Sequence, residues 1–195
     1  MHDAKSLLVI TAITAGGYAL GLPESSLAQE ATAGIVPTAT MEPGEPEQRL
    51  REFFEGDYHV LRETWDYPSK GAPKTVRCTS THSMEVGGFV LFVRETCDDG
   101  TEFLGLHSFD RKVNKYINPG FSNGSGYVGS VYAEFQGDGT QYVGSAPTTD
   151  PRAGDALRSR FVCELNDNGY VFESFLIRAD GTEFLERRET YTRTQ

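Results

Sequence analysis

Positive charge, cysteine and catalytic motifs are all scarce in this chain, and each shortage excludes something. Lys and Arg together number 18 against 28 Asp and Glu, a formal net charge of −10 over 195 residues. Nucleic acid and anionic membrane surfaces both require a positive face, so neither is expected as the main partner. The acid excess reads as a solubility device. A His-Glu-x-x-His motif, a Cys-x-x-Cys pair and a phosphate-cradling glycine loop ahead of a helix are missing, and no nucleophile elbow is expected. Any chemistry would therefore be assembled from side chains on different strands. Glycine and aromatics, by contrast, are plentiful. The 21 Gly, 12 Phe and 9 Tyr, with 38% hydrophobic residues, suit a turn-rich β protein better than a helical bundle.

Apolar residues form one long run, SLLVITAITAGGYALGL over 6–22, preceded by Lys5 and followed by Ser26-Leu27-Ala28. This is the layout of a secretory signal peptide over 1–28, with small residues flanking a cut after Ala28. Gly16-Gly17 interrupts the run and no cysteine sits at the cut, which disfavours a spanning anchor or a lipid anchor. The expected product is exported, periplasmic or secreted, with no membrane attachment after cleavage. Residues 29–45 have no hydrophobic period and read as a disordered tether. The folded domain is expected over 46–195.

Pro46 opens a short predicted helix in which Leu50, Phe53 and Phe54 share a face, with Gly56 past its end. From Asp57 onward the pattern changes to period two. Turn signals at Gly87-Gly88, 98–100, 110–112, 123–126, 137–139, 166–169 and 179–181 separate about ten strand-like runs. Short connections make sequence neighbours antiparallel neighbours in space. Such a meander has two exposed edges unless it closes, so the predicted fold is all-β, an antiparallel up-and-down β-barrel with one short helix before the first strand. The longest connection, over 147–156, is placed to cover an opening.

Counting outward from Gly87-Gly88 as a two-residue turn sets Cys78 opposite Cys97. The pair is close enough to bridge in an oxidising compartment, although the same count makes it a hydrogen-bonded pair, whose side chains stand further apart. A disulfide therefore stays an open alternative, and one thiol is left over in either case. The same parity puts Val76, Cys78, Ser80, His82 and Met84 on one apolar, inward face with Val93, Glu95 and Cys97. Ser80 then faces Glu95, and His82 lies diagonal to it. This cluster reads as a ligand anchor or acid–base group, or as a satisfied buried polar pair.

Asp-Gly-Thr-Glu-Phe-Leu occurs twice, at 99–104 and 180–185. A three-residue loop ending on a left-handed Gly100 points Phe103, Gly105, His107 and Phe109 inward; a two-residue turn points them out. Gly181 poses the same question for Arg187 and Tyr191. A solvent-facing ladder of Glu173 with Arg187 or Arg188 is the competing reading of the last strand. Trp65 and Tyr67 would form a ligand-contacting rim or simply pack. His82, His107 and Glu95 lie on rows too far apart for a metal, and none is expected.

Several pieces in order resemble the bacterial domain-of-unknown-function 1579 family. They are Asp99-Gly100 with Phe103 and Gly105, Phe109-Asp110 with Tyr116, Gly137-Asp138-Gly139, Ser159-Arg160, and the terminal Tyr191-Thr192-Arg193. The resemblance spans 50–193 and implies a lipocalin-like, calycin-type barrel. In similar fatty-acid-binding barrels an inward Arg and Tyr on the final strand hold a carboxylate, which is what the resemblance implies for Arg187 and Tyr191. Some small barrels of this kind bind haem, but the chain lacks their glycine-tryptophan signature, and no cofactor is expected. The leading expectation is a protein that binds a small, mostly apolar molecule inside the barrel. The alternatives are a hydrolase, isomerase or cyclase using His82 with Glu95, and an interaction module without a cavity.

Overall fold

Residues 41–68, 71–124, 128–148 and 153–195 are described by a computed structural model; the expected signal peptide over 1–28 and most of the expected tether over 29–45 lie outside the described residues. The described chain begins with a helix, α1 (Glu45–Phe54). Its start is built from three local devices: Pro46 in the first turn, Glu45 and Glu47 at the positive end of the helix dipole, and Gly44 N–H donating to the Glu47 carboxylate at 2.9 Å. Leu50, Phe53 and Phe54 fall on one face and are buried. Each contributes about 1.5–3 kcal/mol by leaving water.

Ten strands follow: β1 (Gly56–Thr64), β2 (Lys74–Glu85), β3 (Val90–Cys97), β4 (Glu102–Asp110), β5 (Lys115–Ser122), β6 (Val128–Gln136), β7 (Gln141–Pro147), β8 (Arg158–Asn166), β9 (Gly169–Ile177) and β10 (Glu183–Arg193). Each pairs antiparallel with its predecessor, and β10 returns to β1, so the barrel is closed. Closure removes the unpaired edges that an open meander would expose. Helix α1 caps one end. Phe53 meets Phe135 at 5.3 Å, Phe54 meets Tyr142 and Tyr170 edge-on at 5.3 and 5.2 Å, and Tyr116 donates to the Pro46 carbonyl at 3.2 Å. The turns β1–β2, β3–β4, β5–β6, β7–β8 and β9–β10 lie at the other end. There, the described part of 147–156 sets Ala153 and Ala156 against Leu176 and Tyr67.

The β2–β3 connection differs from a two-residue turn. It is a four-residue loop over 86–89 with a short 3-10 turn, and both Gly87 and Gly88 have positive φ (67° and 89°). The register is unchanged, since Cys78 still faces Cys97. What changes is the hydrogen-bond parity: Asp98 N–H donates to the Arg77 carbonyl at 2.9 Å, which makes 77/98 the bonded pair and 78/97 the close, non-bonded one. Cys78 and Cys97 are joined by a disulfide with Cα atoms 3.9 Å apart, and Cys163 is the buried free thiol.

The β3–β4 turn is the three-residue loop. Gly100 has φ +82°, Cys97 N–H donates to the Thr101 carbonyl at 2.9 Å, and Gly100 N–H donates to the Cys97 carbonyl at 3.0 Å. The β9–β10 turn repeats it with Gly181 at φ +83° and both equivalent bonds at 3.0 Å. Beyond the second turn the strands diverge. Leu185 pairs with Phe175, but Arg187 pairs with Ser174, so a bulge at Glu186 shifts β10 by one residue. Glu186 itself lines the cavity, and without the bulge Arg188 and Thr190 would follow it inward. With it, Arg187, Glu189 and Tyr191 do, and Arg188 faces solvent in an ion pair with Glu173. The turn at Gly181 therefore does not settle the facing of Arg187 and Tyr191; the bulge does.

Candidate functional site

The barrel encloses a cavity of about 430 Å³, within the range of small-molecule sites. Its apolar wall includes Phe54, Val93, Phe103, Phe161, Phe172 and Leu176. Space for it comes partly from paired glycines. Phe103 lies across Gly105 and Gly120, and a Cβ on either would stand 2.9 or 3.0 Å from its ring.

Four polar side chains form the opposite quadrant. Arg62 points inward from β1 because Tyr58, Val60, Arg62 and Thr64 share one face. Its Nε donates to Glu189 at 2.7 Å and its Nη2 pairs closely with Glu95. Tyr191 Oη lies 2.9 Å from Glu189 and 3.1 Å from Glu95. Burial and the neighbouring Glu189 charge push the Glu95 carboxyl up to about 7, against the pull of Arg62. Burial also works against the Glu189 charge, but the Arg187 and Arg62 guanidiniums outweigh it and hold that carboxyl below its usual value.

His82 is a separate unit. The Phe54 carbonyl can only accept, so His82 Nδ1 carries the proton and donates to it at 3.1 Å, while Nε2 meets Ser80 Oγ at 2.9 Å. Burial first, and the neighbouring His107 second, lower its pKa to about 3. His82 is therefore a neutral, bonded strut between the helix end and β2. The pairing of His82 with Glu95 as an acid–base couple is not what the structure builds, because Glu95 takes its bonds from Arg62 and Tyr191. Ser80 does stand opposite Glu95, as the register requires, but its hydroxyl serves His82 and it is not among the residues lining the cavity. The two residues share a strand pair and little else.

His107 lies inside, its ring 5.5 Å from Phe54 and 6.0 Å from Tyr142, and burial lowers its pKa to about 4. Its Nδ1 has no hydrogen-bond partner among the described residues. Trp65 is half-buried and outside the cavity wall, where Thr64 stands instead. Tyr67 packs: its hydroxyl accepts from Arg178 at 2.7 Å and its ring meets Phe184 edge-on at 5.2 Å. Cys78, Glu95 and Cys97 bring ligand-type atoms together, but the two sulfurs are bonded to each other.

Arg187 is held more loosely than Arg62. It lies over the Phe172 ring at 4.9 Å, its Nε is 3.7 Å from Glu189, and that buried Nε has no hydrogen-bond acceptor among the described residues. Sequence reasoning named Arg187 and Tyr191 but missed Arg62, whose strand shows no decisive apolar face, and gave no role to Glu189. The segment Gly120-Phe121-Ser122-Asn123-Gly124 does match the letters Gly-x-Ser-x-Gly, although no elbow was expected. It runs from β5 into the β5–β6 turn rather than into a helix, and the Ser122 hydroxyl accepts from Gly124 N–H at 3.2 Å, so it is not a nucleophile elbow. No protein-family model matches the chain, and a search of the curated proteins finds no match.

Proposed function

We propose that the barrel binds a small, mostly apolar molecule that carries one anionic group, and that Arg187 holds that group. The observation that carries this reading is the cavity of about 430 Å³ whose aromatic wall runs up to an inward guanidinium with an unfilled, buried Nε donor. A carboxylate there would accept a charge-assisted bond that no residue now supplies, and its chain would lie along Phe103, Phe161 and Phe172. The same proposal includes export by the segment over 1–28 and kinship with the domain-of-unknown-function 1579 barrels. Organic extraction and mass spectrometry on protein made in its own host should recover an acidic amphiphile. In titrations of purified protein, dodecanoate should bind at least about tenfold more tightly than dodecanol, and Arg187→Met should remove that preference. Equal affinity for acid and alcohol would sink the anionic part; no binding of either, with nothing extracted, would sink the whole.

A further inference from the structure

The bonds around Tyr191 count protons. Tyr191 Oη stands 3.1 Å from Glu95 Oε2 and 2.9 Å from Glu189 Oε2, and a phenol has one proton to give. Both contacts are hydrogen bonds only if one carboxyl supplies a proton of its own. Arg62 occupies the far oxygens, Nη2 on Glu95 Oε1 and Nε on Glu189 Oε1. Glu189 faces two cations, Arg62 at 2.7 Å and Arg187 at 3.7 Å, whereas Glu95 is ion-paired to Arg62 alone among the described residues. The proton therefore belongs on Glu95. A closed ring results: Glu95 Oε2–H donates to Tyr191, Tyr191 donates to Glu189, and Arg62 donates to both carboxyls.

In that ring the Arg62 and Glu189 charges cancel. Arg187, 3.7 Å from the same Glu189, adds a second positive charge that faces the cavity, so the group carries an excess of one. We infer that the cavity takes up its ligand as an amphiphilic monoanion together with one proton held on Glu95, so that the loaded interior is neutral. This rests on the anion-binding reading above and adds the proton to it. Once Glu95 ionises, the two carboxylates already balance Arg62 and Arg187, and an entering anion makes the interior negative. Affinity must fall as pH rises.

The charged or titratable groups around Glu95 come from five elements besides its own: Arg62 of β1, His82 of β2, His107 of β4, Tyr170 of β9, and Arg187, Glu189 and Tyr191 of β10. Arg160 and Cys163 of β8 and Glu186 of β10 line the same cavity, and the opposite charges of Arg160 and Glu186 cancel in the count. Burial raises Tyr170 and Tyr191 well above the usual phenol and raises the Cys163 thiol, so all three keep their protons. Both histidines are held neutral by burial. Glu95, pushed up to about 7, is the member of this group that titrates near neutrality.

The test uses 8-anilinonaphthalene-1-sulfonate, whose sulfonate stays ionised throughout, so that any slope belongs to the protein. Its fluorescence titration with the purified full chain should show a Kd rising by up to about tenfold per pH unit between about pH 7 and about pH 9. Glu95→Gln copies the protonated carboxyl, with an amide that donates to Tyr191 and accepts from Arg62. It should bind at about pH 9 as tightly as the wild type does at about pH 6, with a flat profile. Calorimetry of the wild type in buffers of different ionisation enthalpy should show uptake of about half a proton per ligand at about pH 7, rising towards about one at about pH 8, a reading that does not depend on the variant folding. Saturable binding with a flat wild-type profile and no proton uptake overturns this inference alone. Absence of saturable binding at every pH overturns the anion-pocket reading together with it.

Discussion

The same six residues open β4 and β10, and they lead into unlike walls. At 99–104 and at 180–185 the turn is identical down to the Asp carboxylate accepting from the N–H two residues on, at 2.9 Å in each. β4 then alternates without interruption and presents Phe103, Gly105 and His107 to the cavity. β10 bulges at Glu186 and presents Arg187, Glu189 and Tyr191. The flanks differ too. Cys97, just before the first turn, is tied to β2 by a disulfide, while its counterpart Arg178 makes a part-buried hydrogen bond to Tyr67 and an ion pair with the exposed Asp155. A short sequence thus specifies a turn, and what lies beyond the turn is decided by partners far away in the chain.

Deleting single residues should break this comparison most strongly. Removal of Leu104 from the regular β4 reverses the facing of everything up to Asp110 and should abolish cooperative unfolding as followed by near-UV circular dichroism. Removal of Glu186 takes out only the bulged residue and keeps Arg187 opposite Ser174. It should leave a folded barrel that still binds 8-anilinonaphthalene-1-sulfonate, and loss of both fold and binding would show that the bulge does more than set parity. Next comes the charged wall. Arg62→Met strips the cation from two buried carboxylates and should cost about 3–5 kcal/mol in urea unfolding.

The flanks come third. Replacing Cys78 and Cys97 together by Ala opens a loop with a sequence separation of 19 and should cost about 3 kcal/mol. Arg178→Met, at the matching position of the twin turn, should leave the urea midpoint unmoved, because its ion pair is in water. The smallest effects belong to the turns. Gly100→Ala and Gly181→Ala should each cost about 1–2 kcal/mol, and the same amount, because both have positive φ and neither has any atom near a new Cβ. A marked inequality between them would show that the two turns are not the same device.

Much of the architecture was legible from local signals. Turn residues and period-two runs gave about ten strand-like runs where ten strands are observed, and the i, i+3, i+4 aromatics placed the helix. Cys78 fell opposite Cys97 for a reason that survives the misread turn: two-residue and four-residue loops centred on Gly87-Gly88 share one register. The loop length altered only which pairs are hydrogen-bonded, and this brought the sulfurs close enough to join. The facing of His107 was left to the choice between two turns, and the left-handed Gly100 of the three-residue loop sets the parity of β4 that puts it inside. The candidate site was read less well. His82 and Glu95 were seen together on one wall, yet each is bonded to residues from other parts of the chain: Phe54 from the helix, Arg62 from the first strand, Tyr191 from the last.

The sequence by itself determined the run of strands, their order and the twin turn signals, and narrowed the facing of β4 to two alternatives, because each depends on residues only a few positions apart. Tertiary structure decided the facing of β10, the insertion of Arg62 between Glu95 and Glu189, and the unfilled Nε donor of Arg187. These depend on where the last strand meets the first when the barrel closes. That register is the sum of every turn and bulge between them, and one extra residue at Glu186 reverses it.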